Sequence, residues 1–414
     1  MGFNPVIPVG NLVEYSRGGG WGKETPFEGS SRVAIIRGAD FPSVAQGSYG
    51  GLPVRYEKDS KVNSVTLRAG DIVLENSGGT DSRPTGRTVF VTNELIDAYD
   101  CPVIPASFCR LLRFDNRANS EFVYYWLQEM YSAGRTWGYQ NRSTGLSNFQ
   151  YKVFADSELL PDPSIEVQSK IASVLSAFEK KIRENNRQND YLERCCQSLF
   201  DDIQNDRTNE VIQLSDVAAV NPKRHLTKGS LARCVEMANL STSGSFPNDW
   251  CRKAYSGGMK FMNGDTILAR ITPCLENGKT AYINFLDEGE VAFGSTEYIV
   301  LASKGLLPAE FFYFLARNRA LVSYATNHMN GSSGRQRVSA QDIEAYRLRT
   351  PSSSQAARFA DFVRPIMEEI LTRSLENRRL SSLRGALLPK LLSGEIDVSK
   401  VEIPTPPNNH LSAG

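Results

Sequence analysis

Two stretches of the chain carry an unbroken heptad pattern of apolar positions. In the first, Ile171, Leu175, Phe178, Ile182, Asn185, Asn189, Leu192, Cys196, Leu199 and Ile203 follow one another at alternating steps of four and three. In the second, Phe359, Val363, Ile366, Ile370, Arg373, Asn377, Leu380, Arg384, Leu387 and Leu391 do the same. The pattern predicts two long helices, over 161–206 and 351–396. Pro161, Pro163 and Pro351 lie at their entrances, Ser164 and Ser352 to Ser354 are candidate N-caps, and Gly394 is a candidate stop. At about 1.5 Å per residue, about 40 residues make a rod of roughly 60 Å. Pro365 lies inside the second helix and predicts a kink or a delayed start there.

Both seams turn polar near their middle, at Asn185 with Asn189 and at Arg373 with Asn377. A polar layer costs stability but sets register, because a slip would bury these groups unpaired against Leu or Ile. Antiparallel pairing of the two helices would set Asn185 against Asn377 and Asn189 against Arg373. Parallel pairing would set Asn185 against Arg373, and the periodicity alone fits both.

The segments before each helix, 1–160 and 207–350, have a different texture. They are rich in Gly, Ser and Asn, with short β-like runs such as Val33–Arg37, Asp71–Leu74, Thr88–Val91, Thr266–Ala269 and Tyr298–Leu301. Helical patches follow at Ser120–Met130 and Ala309–Asn318. Each segment reads as a mixed α+β domain, and 397–414, with Pro404, Pro406 and Pro407, as a flexible tail. The two domain-plus-helix blocks are copies of one unit. Gly70-Asp71 falls on Gly264-Asp265, Phe122-x-Tyr124 on Phe311-x-Tyr313, Ser143-Thr144-Gly145 on Ser332-Ser333-Gly334, and Ile171-Ala172 on Phe359-Ala360, each about 190 residues later. A tandem duplication of this kind, with antiparallel helices, predicts a pseudo-two-fold molecule, and two-fold proteins read DNA half-sites.

Charge balance narrows the picture. With 47 Lys and Arg against 46 Asp and Glu, the net charge is +1, which excludes a strongly basic nucleic-acid coat or an acidic disordered tail as a description of the whole chain. No apolar run approaches a membrane span, and the first residues, MGFNPVIPVG, lack the features of a signal peptide. Seven cysteines, an odd number without a Cys-x-x-Cys pair, suit a reducing compartment, so a cytoplasmic location with no membrane partner is expected.

Catalytic motifs fail on the residues that matter. Asn277-Gly278-Lys279-Thr280 ends like a phosphate loop, but Pro273 stands where its first glycine belongs; Gly22-Lys23 is followed by Glu24 instead of Ser or Thr. His225, His328 and His410 have no zinc spacing, and no nucleophile elbow occurs. Asp265, Glu276 and Lys279 form a loose acid–acid–lysine set that a metal-dependent nuclease could use; a solvated hairpin turn is the plainer reading. No catalytic residue and no metal site is expected. The nuclease and a coiled-coil scaffold without a nucleic-acid role stand as alternatives.

Polar loops rich in Gly and Arg recur in both copies: 16–23, 76–87 and 135–145, then 221–229, 269–279 and 327–337. Glycine lets backbone approach a surface, Arg and Lys bind phosphate, and Arg, Lys, Asn and Gln pair with guanine and adenine edges. The candidate DNA-binding residues are Arg17, Lys23, Arg83, Arg87, Arg135, Gln140, Asn141 and Arg142 in the first copy. In the second they are Lys223, Arg224, Lys228, Arg270, Lys279, Asn330, Arg335, Gln336 and Arg337.

These features together resemble the DNA-specificity (S) subunits of type I restriction–modification systems. Leu160-Pro161-Asp162-Pro163 with Gln168-x-x-Ile171-Ala172-x-x-Leu175 is similar to the family's helix opening, although Val167 replaces its usual Glu. Leu387-Leu388-Pro389-Lys390-Leu391-Leu392-Ser393-Gly394-Glu395-Ile396 is similar to its closing signature, and the strands after Gly70-Asp71 and Gly264-Asp265 to its Gly-Asp-Ile-Leu strands. The resemblance extends to about residue 400. It implies two mixed α/β target recognition domains, each reading half of a split double-stranded DNA site, separated by two long helices that pair as an intramolecular antiparallel coiled coil and set the gap. It further implies that the helices dock two methyltransferase (M) subunits, that two motor-nuclease (R) subunits join, and that S-adenosylmethionine, ATP and magnesium are bound by those partners, with no cofactor in this chain. A related chain of a type IIB-like system is the alternative assembly. Arg384, on the seam, is expected to reach outward to a partner, and Ser353-Ser354-Gln355 departs from the family's helix opening.

Overall fold

Apolar strands and turns of the first segment close on the start of one long helix and the end of the other. The structure, a computed structural model, describes residues 6–142, 147–332 and 334–398. It divides into two compact units, residues 1–183 with 382–414 and residues 184–381. This division cuts across the five segments expected from the sequence, because each half of a long helix is buried against a domain. Ile171, Ala172, Leu175, Leu391 and Leu392 lie in the core of the first unit with Phe122, Trp126 and Phe154. Cys196, Phe200, Ile203, Phe359, Val363, Met367 and Ile370 lie in that of the second with Phe311, Phe312 and Phe314. Val398 is also buried in the first unit's core, so the packed chain extends into the segment expected as a tail. Residues 399–414, with His410, lie outside the described residues, as does the Ser143-Thr144-Gly145 marker.

The two units share one plan. In the first, a four-stranded antiparallel sheet has the order Val13–Gly18, Cys109–Phe114, Ile72–Glu75, Thr88–Phe90. A three-stranded sheet joins Val54–Lys58, Ser30–Ile36 and Val103–Pro105, the last pair parallel. Val6–Pro8 pairs with Leu159–Pro161 just before the first long helix. In the second unit the corresponding order is Ala218–Val220, Tyr298–Ser303, Thr266–Ala269, Thr280–Tyr282. Cys251–Ala254, Leu231–Val235 and Ala292–Gly294 repeat the smaller sheet, now with Lys260–Phe261 on its edge. Glu210–Gln213 pairs with Arg347–Thr350 before the second long helix.

The Gly-Asp pairs make one turn twice. Gly70 has φ 91° and Gly264 φ 88°, values at which a Cβ is strained. Each aspartate then turns its carboxylate back on the turn. The Arg68 amide donates to Asp71 Oδ2 at 2.7 Å and the Met262 amide to Asp265 Oδ2 at 2.9 Å. Both carboxylates are buried and held by an arginine, Arg113 on Asp71 and Arg224 on Asp265.

The long helices span Ile165–Asn205 and Ser353–Leu392. Ser352 and Gln355 cap the second reciprocally: the Gln355 amide donates to the Ser352 hydroxyl and the Ser352 amide to Gln355 Oε1. Its exit is a glycine turn, with Gly394 at φ 74°. Pro365 neither delays nor interrupts it, contrary to the sequence expectation. Pro365 and Asp361 are both exposed, so the carbonyl left without its helical donor faces water.

Within the second unit the helices are antiparallel. Asn185 Nδ2 donates to Asn377 Oδ1 at 2.8 Å and to Glu376 at 2.7 Å, and Asn377 Nδ2 donates to Asn186 at 2.8 Å. Asn189 meets Ser374 at 3.5 Å, where Arg373 was expected; Arg373 instead pairs with Glu369 one turn earlier on its own helix. In the first unit Arg384 donates to Glu179 at 2.9 Å and so stays inside the helix pair instead of reaching outward.

Glu179 also accepts from the Tyr125 hydroxyl at 3.1 Å. Nearby, burial first and the Glu179 charge second push the Glu121 carboxyl up to about 7. A folded-state value above the ordinary 4.5 means that ionising Glu121 opposes folding, and the penalty grows as pH rises from 4.5 to about 7. Glu121→Gln is therefore expected to leave stability nearly unchanged at pH 4.5 and to raise it at pH 8 by on the order of 1 kcal/mol, the group being partly solvent-screened. Urea unfolding at the two pH values measures this; equal stability of the two proteins at pH 8 would contradict it.

Candidate nucleic-acid interface

In both units the loop after the Gly-Asp strand is tied to a segment far along the chain. In the first, the Phe149 amide donates to the Asn76 carbonyl at 2.7 Å, the Gly78 amide to Ser147 at 3.2 Å, and the Ser77 hydroxyl to Asn148 Oδ1. In the second, the Val338 amide donates to Arg270 and the Thr272 amide to Gln336, both at 3.0 Å. Each tie turns two polar loops into one platform. Phe108 stands beside the first platform, 57% exposed, its carbonyl accepting from the Asn76 and Ser77 amides.

A carboxylate organises the cations of each platform, buried in the first and partly exposed in the second. Glu75 closes the apolar strand Ile72–Glu75 and is itself buried. Arg87 grips it with one edge of its guanidinium: Nε donates to Oε2 at 2.9 Å and Nη2 to Oε1 at 2.6 Å, while Nη2 also donates to the Gly38 carbonyl at 2.8 Å. The hydrogen bonds to Glu75 raise the already high pKa of Arg87. Arg83 touches the same carboxylate with one end, Nη1 lying 3.1 Å from Oε2. Glycines make room for the carboxylate, since a Cβ on Gly38 or Gly78 would stand 2.7 or 2.6 Å from Oε1. In the second unit Glu297 plays this part for Arg337, which donates to it from Nε at 2.9 Å and Nη2 at 2.7 Å. Those hydrogen bonds hold the Glu297 carboxyl below the usual carboxylate range.

The chain was compared with known proteins. No family model matches it. It is 26% identical over 282 residues to the specificity subunit of the type I restriction enzyme MjaIX of Methanocaldococcus jannaschii, covering 58% of this chain and 61% of that one. Over 180 residues it is 30% identical to the EcoEI specificity subunit of Escherichia coli, covering 42% of this chain and 30% of that one. The chain is a homologue of type I restriction specificity subunits. The match spans less than two thirds of the length of either relative. The fold agrees over a longer stretch. A type I restriction–modification S subunit from M. genitalium superposes with a TM-score of 0.55 over 94% of this chain and 96% of that one, at 13% identity.

The candidate residues fall into two groups, one in each unit, and the structure sorts them. Arg87, Arg135, Arg224 and Arg337 are braces, each held by a carboxylate, although Arg135 and Arg337 keep 41% and 38% of their side chains exposed. Arg135 donates to Glu158 at 2.6 Å and lies over the Trp126 ring, and Arg224 is held by Asp265 and the Met262 sulfur. Lys279 donates to the Met237 carbonyl at 2.8 Å, and Arg270, partly buried, borders Glu297. Gln140 Oε1 accepts from both the amide and the hydroxyl of Thr85, at 2.9 and 3.4 Å, which occupies the acceptor that bidentate adenine pairing needs. Asn330 spends its Nδ2 on the His328 carbonyl, and Gln336 enters the platform through its backbone. Arg17, Lys23, Asn141, Lys223, Lys228 and Arg335 are exposed, Lys23 lying against the Phe27 ring. The side chain of Arg142 lies outside the described residues.

The sequence reading missed Glu75, Glu297 and Phe108. A carboxylate ending an apolar strand, followed by two arginines within one loop, was the available signal for Glu75. Asp265 and Lys279 each have separate internal partners, and Glu276 is exposed, so the loose set does not assemble as a nuclease centre. Among the described residues there is no group of three His, Cys, Asp or Glu able to hold a metal ion, and no helix long and apolar enough to cross a membrane.

Proposed function

We propose that this chain is the sequence-reading subunit of a type I restriction–modification complex. Each recognition domain reads one half of a bipartite double-stranded DNA site through its loop platform. The paired helices set the unread spacing and dock two methyltransferase subunits, and two motor-nuclease subunits join for cleavage. The chain performs no chemistry of its own; S-adenosylmethionine, ATP and magnesium belong to the partners. One observation carries this reading: the same domain plan and the same tied loops occur twice, each packed against parts of both long helices, in a chain whose relatives are specificity subunits. The net charge of +1 suits a subunit that holds DNA as part of a clamp.

Methylation profiling of cells carrying the chain with its methyltransferase tests the proposal. The expected result is an asymmetric split motif that disappears when the chain is deleted. Exchange of residues 1–160 for another such domain should then change one half of the motif and leave the other. A motif that is identical with and without the chain would reject the reading.

A further inference from the structure

We propose that Arg83 reads a guanine in the half-site of the first recognition domain and that Glu75 is the positioning residue that aims it. This deepens the proposed function and rests on it. The case starts from the donors. Guanine presents two acceptors on its major-groove edge, O6 and N7, and a guanidinium matches both when its orientation is fixed. Arg87 meets Glu75 and Gly38 with Nε and Nη2, and its guanidinium stacks over the Phe41 ring, so it is a clamp inside the domain. Arg83 meets Glu75 through Nη1 alone, at 3.1 and 3.4 Å. Its Nε and Nη2 have no partner among the described residues, and its side chain is 37% exposed. One buried carboxylate thus carries two guanidinium groups, one gripped by two donors and the other by one.

The surroundings hold this arrangement still. Arg83 sits at the base of a tight turn in which the Thr80 amide donates to the Arg83 carbonyl at 2.7 Å. Gly79, at φ 75°, allows that turn, since a Cβ there would stand 2.9 Å from the Arg83 carbonyl oxygen. Pro84, Thr85 and Gly86 behind it are buried. The exposed Phe108 ring borders the same platform and offers apolar contact to a base or sugar. Arg17 and Lys23, exposed and without a carboxylate to orient them among the described residues, suit phosphate instead.

The test measures methyl transfer by the complete complex, full chain with methyltransferase, on duplexes carrying the profiled motif and each single-base change. One position of the half-site that moves when 1–160 is exchanged should require guanine. Arg83→Ala should lower discrimination at that position by about 10- to 100-fold and leave the other half-site unchanged. Arg83→Lys should not restore it, because an ammonium lacks the two-pronged fork. Glu75→Gln should relax the same position and no other, which a merely structural role would not do. A bipartite motif whose every position is unmoved by Arg83→Ala would overturn the assignment alone. So would equal loss from both half-sites, which marks a folding defect. Absence of any bipartite motif with the unmodified chain would overturn the proposed function itself.

Discussion

Glu193→Ala is expected to destabilise the second unit by about 3–5 kcal/mol, the range for removing one partner of a buried, hydrogen-bonded charged group. Glu193 projects from the first long helix into the domain it packs on. Its Oε1 accepts from the Tyr313 hydroxyl at 2.6 Å and its Oε2 from the Ser245 hydroxyl at 2.9 Å, while Arg317 Nε lies 3.5 Å away. Tyr313 and Ser245 are themselves buried, so alanine would leave two hydroxyl groups without this acceptor in a place water does not reach. Burial first and the Glu193 charge second push the Tyr313 hydroxyl far above its ordinary value, so Tyr313 remains a donor throughout the accessible pH range. Arg317 keeps its bonds to the Thr242 and Gly278 carbonyls and limits the loss. Glu193→Gln, which retains acceptor capacity, should cost about half as much. Thermal unfolding followed by circular dichroism should show the alanine variant melting about 10 °C lower. A change below about 2 °C would mean that the carboxylate does not brace the helix.

Asp71→Ala should be of similar size in the first unit, about 3–5 kcal/mol. The Asp71 side chain is 2% exposed and accepts from Arg113 at both oxygens, at 2.8 and 2.7 Å, as well as from the Arg68 amide. Removal strands the Arg113 guanidinium, itself 20% exposed, and loosens the turn that starts the central strand. Asp71→Asn keeps the bond to the Arg68 amide and should recover part of the loss. Asp265→Ala in the second unit should behave alike, lowering stability without touching any chemistry. Chemical denaturation of the three variants measures the effect; Asp71→Ala with an unchanged midpoint and slope would contradict it.

Much of the scaffold was legible because its signals are periodic or local. The heptad seam locates both long helices to within a few residues, and Ser352-Ser353-Ser354-Gln355 reads as a cap. Gly70-Asp71 and Gly264-Asp265 mark equivalent turns because the bonds they make close within three residues. The polar layer was legible as a layer. Its exact partners were not: a heptad assigns positions to a face, but long side chains choose among neighbours, so Asn189 found Ser374 and Arg373 stayed with Glu369. Pro365 looked like a break because a sequence does not say which face of a helix meets water.

The loops show the limit most clearly. From sequence alone Arg83, Arg87, Arg224 and Arg337 are equivalent, each a cation in a glycine-rich turn. Sequence by itself determined the duplication, the two mixed domains and the helix seam, since these rest on spacing, composition and short motifs. Tertiary structure alone decided which cations a carboxylate holds by two donors and which it does not. That choice depends on carboxylates brought from elsewhere in the fold, Glu297 from 40 residues before Arg337 and Asp265 from 41 after Arg224. A guanidinium whose Nε and Nη2 are held by a carboxylate has spent that two-pronged edge, and only the closed fold brings the two together.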